Sequence, residues 1–458
     1  MLIDALLSIM SEWRVAFSQD RVYARALRQS LAGLLSLGTR TISRMIACFG
    51  RDQQDWSAEY RLHSRRDWNT ADLFDPILKR AHTLCGDKYV SIAFDDTRLH
   101  KTGRKIPGAS YWVDPLSPKF RVNFMLGLRY LQASLLIPHY REIDQTARGV
   151  PVRFTEVPAV KKPGKRASDK EREDYHEAIK TQNLSTSFVA MLTGLREALD
   201  TAGAKPKTII AVLDGSFCNR ACLTADIKRV IWLARVRKDA KLCYAAPKGG
   251  KRVYDASKFT PQQVRQDESI PWKMMRVFNG GEWRELRYKD VGQVLWQGGT
   301  RRKPMRLLVL APTPYRISPR AKLYYRDPAY LLCTDLDAPA EILVQSYIDR
   351  WQIEVNHRDE KTTLGVGEAQ VWSTRSVPRQ PAFMVAAYSA LLLAAIETFG
   401  PARTTDYMPL PKWRRSASRP SLLDMIRVLR KEIAERPDCA EAFGCSPEIK
   451  TMLLAAAA

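Results

Sequence analysis

Four residues in the stretch YIDRWQIEVNHRDEK, 347–361, stand at spacings that could do chemistry together: Tyr347, Arg350, Glu354 and Lys361. On an α-helix of 3.6 residues per turn they fall within roughly 60° of arc. One face then presents a hydroxyl, a guanidinium, a carboxylate and an ammonium. Spacing alone also fits an ordinary i,i+4 ion pair between Arg350 and Glu354. Further carboxylates shift that balance. YVSIAFDDT ends an apolar run in Asp95 and Asp96, and KTIIAVLD ends another in Asp214. A carboxylate closing an apolar strand is often a turn residue, but a buried one is costly unless it binds something. Two strand ends and a helix carrying acids make a set able to hold hard divalent cations through oxygen ligands. The six histidines are scattered and form no obvious cluster.

The spacing resembles the Y-x2-R-x3-E-x6-K signature of bacterial insertion-sequence transposases of the insertion-sequence-four superfamily. The flanking text agrees: AYLLCTDLDAPAEI before it, RWQIEV within it and TTLGVGEAQVWS after it look like the branch with a DDE endonuclease domain. The likeness is densest over 329–373 and thins back to about residue 85. It implies an RNase H-like α/β fold carrying a DDE triad. It favours Asp96 as the first acid, because Thr97 follows directly, with Asp95 as the alternative. By the same resemblance, Asp96 would bridge two Mg2+ ions, Mn2+ being able to substitute, while Asp214 and Glu354 would each hold one. Tyr347 and Arg350 would contact a phosphate near the transposon end, and Lys361 the complementary strand. Tyr330, just before the LLCT run, would be the ring that holds a flipped base.

The activity so implied is cut-and-paste transposition: metal-dependent cleavage at transposon ends, then strand transfer into target DNA. The alternatives are an RNase H-like endonuclease without strand transfer and a catalytically inactive, transposase-derived DNA-binding regulator. The implied partners are double-stranded DNA, at terminal inverted repeats and at the target, and a second copy of the chain in a synaptic complex.

Composition fits a nucleic-acid partner. The formal charge is +24, from 73 Lys and Arg against 49 Asp and Glu. That excess suits a protein neutralising many phosphates, although a membrane-surface or ribosome-bound protein would share it. MLIDALLSIMSEW lacks basic leading residues and a small-residue cleavage site, and most of the eight cysteines sit in apolar runs. The expectation is a cytoplasmic, nucleoid-associated protein with reduced thiols. The apolar segment 381–399 reads as a buried helix rather than a membrane span.

These residues need elements to position them. Residues 1–80 read as a helical, basic DNA-binding region, with helices meeting near Gly38, Thr39 or Thr41 free to cap the second, and helix-turn-helix geometry possible. Trp56, Tyr60 and Trp68 alternate there with Arg61, Arg65 and Arg66, a mixture suited to phosphate and base stacking. Residues 85–237 read as the first part of the catalytic core. Within it, FRVNFMLGLRYL and ASLLIPHY suggest a hairpin, 160–174 a mobile charged loop, and 175–202 one helix. Residues 238–330 read as a β-rich insertion, 331–400 as the second part of the core with the signature helix, and 401–458 as a helical C-terminal region. Along the signature helix, Val344, Ile348, Trp351 and Val355 form the expected packing stripe.

Overall fold

The computed structural model describes residues 1–436 except 54, 115–116, 119, 248–250, 318–319 and 415–416, and only the backbone of residue 142. The alanine tail, Cys439 and Cys445 lie outside the described residues. The chain opens with five helices: α1 (Leu2–Ser11), α2 (Asp20–Leu35), α3 (Ile42–Cys48), α4 (Ser57–Ser64) and α5 (Ala71–Ala81). Gly38 takes a positive φ of 72° between α2 and α3. Thr41 caps α3, its side-chain oxygen accepting the Arg44 N–H at 3.2 Å. Helix α3 packs Ile42 and Ile46 against Ala369 and Val371, in the loop that follows the signature helix.

There follow β1 (Tyr89–His100), β2 (Ser110–Val113), β3 (Phe124–Ile137), a short α6 (Tyr140–Ile143) and β4 (Arg148–Glu156). Next come α7 (Asp169–Thr181), α8 (Leu184–Thr201), β5 (Thr208–Leu213), α9 (Arg220–Leu223) and β6 (Val230–Arg235). Strand β1 pairs antiparallel with β3, β3 with β4, and β1 parallel with β5, which is in turn parallel to β6.

Three local expectations change here. The suggested hairpin is one fourteen-residue strand, β3, because no turn residue interrupts LRYLQASLL. The end of 160–174 is not a loop: from Asp169 it is helix α7, started by a capping box between Ser168 and Glu171, while 160–168 stay outside regular structure. The single helix expected over 175–202 is two, because Asn183 ends one and caps the next with its side chain on the Thr186 N–H.

The stretch after β6 holds β7 (Leu242–Ala245), β8 (Tyr254–Phe259), α10 (Pro261–Gln266), β9 (Lys273–Asn279), β10 (Glu282–Val294), β11 (Met305–Leu310), β12 (Thr313–Tyr315), β13 (Tyr324–Arg326) and β14 (Ala329–Cys333). Strands β7 and β8 form a two-stranded sheet, joined to the end of β10 by an isolated bridge between Cys243 and Leu295, and β12 and β13 form another. By contrast, β9, β10 and β11 are hydrogen-bonded through β14 onto β6, so they prolong the main sheet. Among the described residues that mixed sheet has ten strands, in the order β2-β3-β1-β5-β6-β14-β11-β10-β9 with β4 on β3.

The signature stretch forms α11 (Ala340–Asp349), α12 (Trp351–Arg358) and a π-helical turn, Asp359–Thr363, before α13 (Ser376–Phe399) and α14 (Leu422–Glu435). The two sides of the sheet bury different elements. Phe94, Leu213 and Trp232 lie with Phe188 and Leu192 of α8, whereas Ile210, Val212 and Leu233 lie with Leu343 and Val344 of α11. Period-two alternation along each strand produces that division. Helix α13 is long and apolar enough to cross a membrane, yet 78% of its apolar window is buried inside the protein, against α1, α2, α5 and β4. Helix α14 closes on α1: the Glu432 carboxylate accepts the N–H groups of Leu2 and Ile3 at 3.1 and 2.8 Å, satisfying donors the helix start leaves free.

Candidate active site

The signature helix is built differently from its sequence pattern. Its hydrogen-bond ladder is interrupted at Arg350, which keeps helical angles (φ −49°, ψ −30°) while the Ile353 N–H bonds back only three residues, to the Arg350 carbonyl at 3.0 Å. The face turned to the protein is largely polar: Ser346, Asp349, Gln352 and Asn356 are buried, together with Ile353. The expected apolar stripe is therefore corrected. Val344 is buried, but Trp351 is 61% exposed, and Ile348 and Val355 are half-buried.

Polar partners on β3, β4 and α13 explain that face. Asn356 accepts from the Ser134 hydroxyl at 2.9 Å and donates to the Gly149 carbonyl at 3.0 Å and to the Tyr388 hydroxyl at 3.1 Å. Gly149 permits the approach, since a Cβ there would stand 2.8 Å from Asn356 Oδ1 and 3.0 Å from Gln352 Cβ.

Three contacts set which residues of β1 look at this helix. Ser91 Oγ lies 2.8 Å from Ser346 Oγ, Ala93 packs with Ile353, and Asp95 lies beside Arg350. Alternation then turns Phe94 and Asp96 the other way. Phe94 meets Phe188 of α8 at 4.9 Å between centroids, and Asp96 lies 3.8 Å from Arg98. The expected first acid, Asp96, is thus not the one that meets Glu354. Asp95 is. Its carboxylate lies 3.7 Å from Arg350 Nη1, and Glu354 Oε1 lies 3.8 Å from Arg350 Nη2, so one guanidinium stands between two acids.

Asp214 completes the group from the end of β5, one residue past the pair Phe94–Leu213. Its carboxylate accepts the Ser216 N–H at 2.8 Å and the Ser216 hydroxyl at 2.9 Å, which fixes it at the strand end. Burial pushes Asp95 up to about 7; Arg350 opposes this, while Asp214, Glu354 and Asp96 add to it. Burial also raises Asp96; Arg98, Arg129 and Lys361 oppose this and Asp214 adds to it, so Asp96 too lies within electrostatic reach of the site.

Arg350 and Tyr347 line a cavity of about 670 Å³ beneath β12 and β13, with Tyr315, Tyr325 and Arg326 on its wall. Lys361, in the π turn, lines a second cavity of about 880 Å³ with Arg98, Thr39, Thr41 and the exposed Trp372. Burial lowers the Lys361 ammonium, and Glu360, Asp95 and Glu354 pull it back up. Arg350, Glu354 and Lys361 thus lie within electrostatic reach of Asp95, while Tyr347 shares a cavity with Arg350, and the π turn shifts the phase before Lys361. Single π turns are frequent at functional positions.

Tyr330 does not fit its expected role. It is 4% exposed within β14, and its hydroxyl donates to Gln262 of α10, so its face is not open to a base. Trp68 is likewise buried, edge-on to Phe383 and His63 and beneath Arg379. Trp56 and Tyr60 remain exposed.

His357 went unnoticed in the sequence. Ligand atoms of Asp95, Glu354 and His357 all lie within 4.8 Å of one another, a set whose donors suit one divalent cation. Burial holds His357 down at about 3, so its imidazole is neutral. The signal available was the i,i+3 step from Glu354, which puts both on one helix face.

The π turn also buries Glu360. Gln132 hydrogen-bonds to it, Glu360 Oε1 and Gln132 Oε1 both lack partners, and burial lifts the carboxyl up to about 8. An ionised carboxylate buried this deeply is costly, so the folded state favours the protonated form of Glu360. Because the folded state holds that proton more tightly than the unfolded chain, the contribution is full below the ordinary value of 4.5. It is then lost at up to about 1.4 kcal/mol per pH unit as pH rises towards 8. Glu360→Gln should leave melting temperature nearly unchanged at pH 5 and raise it relative to the unaltered protein at pH 9. A difference between the two proteins that is the same at both pH values would show that Glu360 is ionised throughout.

A family model described as DDE superfamily endonuclease matches residues 17–303. The match includes Asp95, Asp96 and Asp214 and ends before the helix that carries Glu354. No curated protein matches the chain.

Proposed function

The chain belongs to the DDE superfamily endonuclease family, and on that premise we propose that it is a cut-and-paste DNA transposase of the insertion-sequence-four superfamily with an RNase H-like core. The observation that carries this reading is the convergence of Asp95, Asp214 and Glu354 from two adjacent parallel strands and an interrupted helix, flanked by Arg350 and Lys361. The strand order β4-β3-β1-β5-β6, with three antiparallel strands followed by two parallel ones, supports the RNase H-like assignment.

Asp95, Asp214 and Glu354 are the residues that would hold Mg2+, with Mn2+ as substitute, and Asp95 takes the place first given to Asp96. Held there, divalent cations would supply Lewis-acid activation of the attacking oxygen and charge stabilisation of the leaving one in phosphodiester cleavage. The rest falls to the chain itself. Arg350 and Tyr347, opening on one cavity, grip a phosphate near the transposon end. Lys361, opening on the other, holds the complementary strand. The net charge of +24 supplies sequence-independent affinity for the terminal repeats and the target. Two copies, each on one end, form the synaptic complex.

The test is a purified-protein assay on duplexes carrying the sequences that bracket the gene, with and without Mg2+. Metal-dependent nicking at the ends, followed by joining of the freed 3′ end to a second duplex, is expected. Nicking without joining would reduce the protein to a nuclease, and binding without nicking to a regulator.

A further inference from the structure

The geometry points to His357 as a nitrogen ligand of the same cation that Asp95 and Glu354 hold, giving a site that favours transition ions such as Mn2+ and Co2+, which accept a nitrogen ligand more readily than Mg2+ does. This rests on the proposed metal-dependent function and deepens it. Three observations carry it. A ligand nitrogen of His357 lies within 4.8 Å of carboxylate oxygens from both Asp95 and Glu354. The residue is only 8% exposed, and its buried Nε2 has no hydrogen-bond partner. A buried ring nitrogen left without a partner loses its hydration for no return, unless a ligand restores the bond.

The i,i+3 step from Glu354 to His357 sits on α12, whose backbone is held by Asn356 and Ile353 against β3, β4 and β1. The pair is therefore presented on a rigid element, as helix-borne carboxylate–histidine pairs are in bundle metal sites. Oxygen ligands alone suit Mg2+, whereas an imidazole among them shifts preference towards transition ions.

The distinguishing measurement is pulsed electron paramagnetic resonance on the protein loaded with Mn2+, alongside calorimetric titration with Mn2+ and Mg2+. Nitrogen hyperfine coupling to the bound Mn2+ is expected in the unaltered protein, a readout that needs no variant to fold. His357→Gln should remove the coupling and weaken Mn2+ binding on the order of ten- to a hundredfold, with little change for Mg2+. Mn2+ that binds without nitrogen coupling, while Glu354→Gln abolishes its binding, would overturn the histidine ligand and leave the carboxylate site standing. Mn2+ binding indifferent to both Asp95→Asn and Glu354→Gln would overturn the carboxylate site itself, and the histidine ligand with it.

Discussion

Asp95→Asn is expected to lower metal-dependent cleavage on the order of a thousandfold or more, whereas Asp96→Asn should leave most of it. The size follows from removing a full negative charge from a metal-holding group, worth several kcal/mol in the transition state at about 1.4 kcal/mol per tenfold. The ranking follows from strand geometry. Asp95 shares a face with Ser91 and Ala93, which touch Ser346 and Ile353 of the signature helix. Asp96 lies beside Arg98 and Arg129, with Asp214 and Lys361 also in electrostatic reach, but it is Asp95 that shares Arg350 with Glu354. Asparagine is close in shape to aspartate, so both variants should fold, and equal melting temperatures would confirm that. DNA binding should survive in both, because affinity comes mainly from lysines and arginines. The reverse ranking in one assay would return the first acid to Asp96.

Arg350 should separate two functions that a simple ion pair could not. Its guanidinium stands 3.7 Å from Asp95 and 3.8 Å from Glu354, and its buried Nη1 makes no hydrogen bond. It balances the two acids by charge without being locked to either, so it is free to turn to a phosphate when cations arrive. Arg350→Ala should therefore tighten divalent-metal binding in the absence of DNA, by roughly tenfold for one charge removed at about 4 Å from a partly screened site. The same substitution should slow cleavage at saturating protein, as should Arg350→Lys, which cannot reproduce a bidentate grip on phosphate. Misplacing the scissile phosphate by about 1 Å costs on the order of a hundredfold. Normal cleavage by Arg350→Lys, with unchanged metal affinity in Arg350→Ala, would make the residue a structural pair for Glu354.

The sequence by itself determined the chemistry-bearing types and their local spacing. Apolar runs ending in Asp95, Asp96 and Asp214 do form neighbouring strands, and Tyr347, Arg350, Glu354 and Lys361 do lie along one helical stretch. Caps such as Thr41 were legible too, because a cap is a bond between residues a few positions apart. What tertiary structure decided was facing. Two adjacent aspartates on a strand must point to opposite sides, but which side receives the signature helix depends on contacts such as Ser91 with Ser346, 255 positions apart. Periodicity also misread the helix itself. The interruption at Arg350 and the π turn shift its phase, and its inner face is polar because Ser134, Gly149 and Tyr388 stand ready to bond Asn356. Tyr330 reads the same in sequence whether open or covered, and the hydrogen bond from its hydroxyl to Gln262 of α10 helps hold it covered. His357 became visible only when Asp95 arrived beside it, since a ligand set is a property of converging elements and a helix alone shows one edge of it.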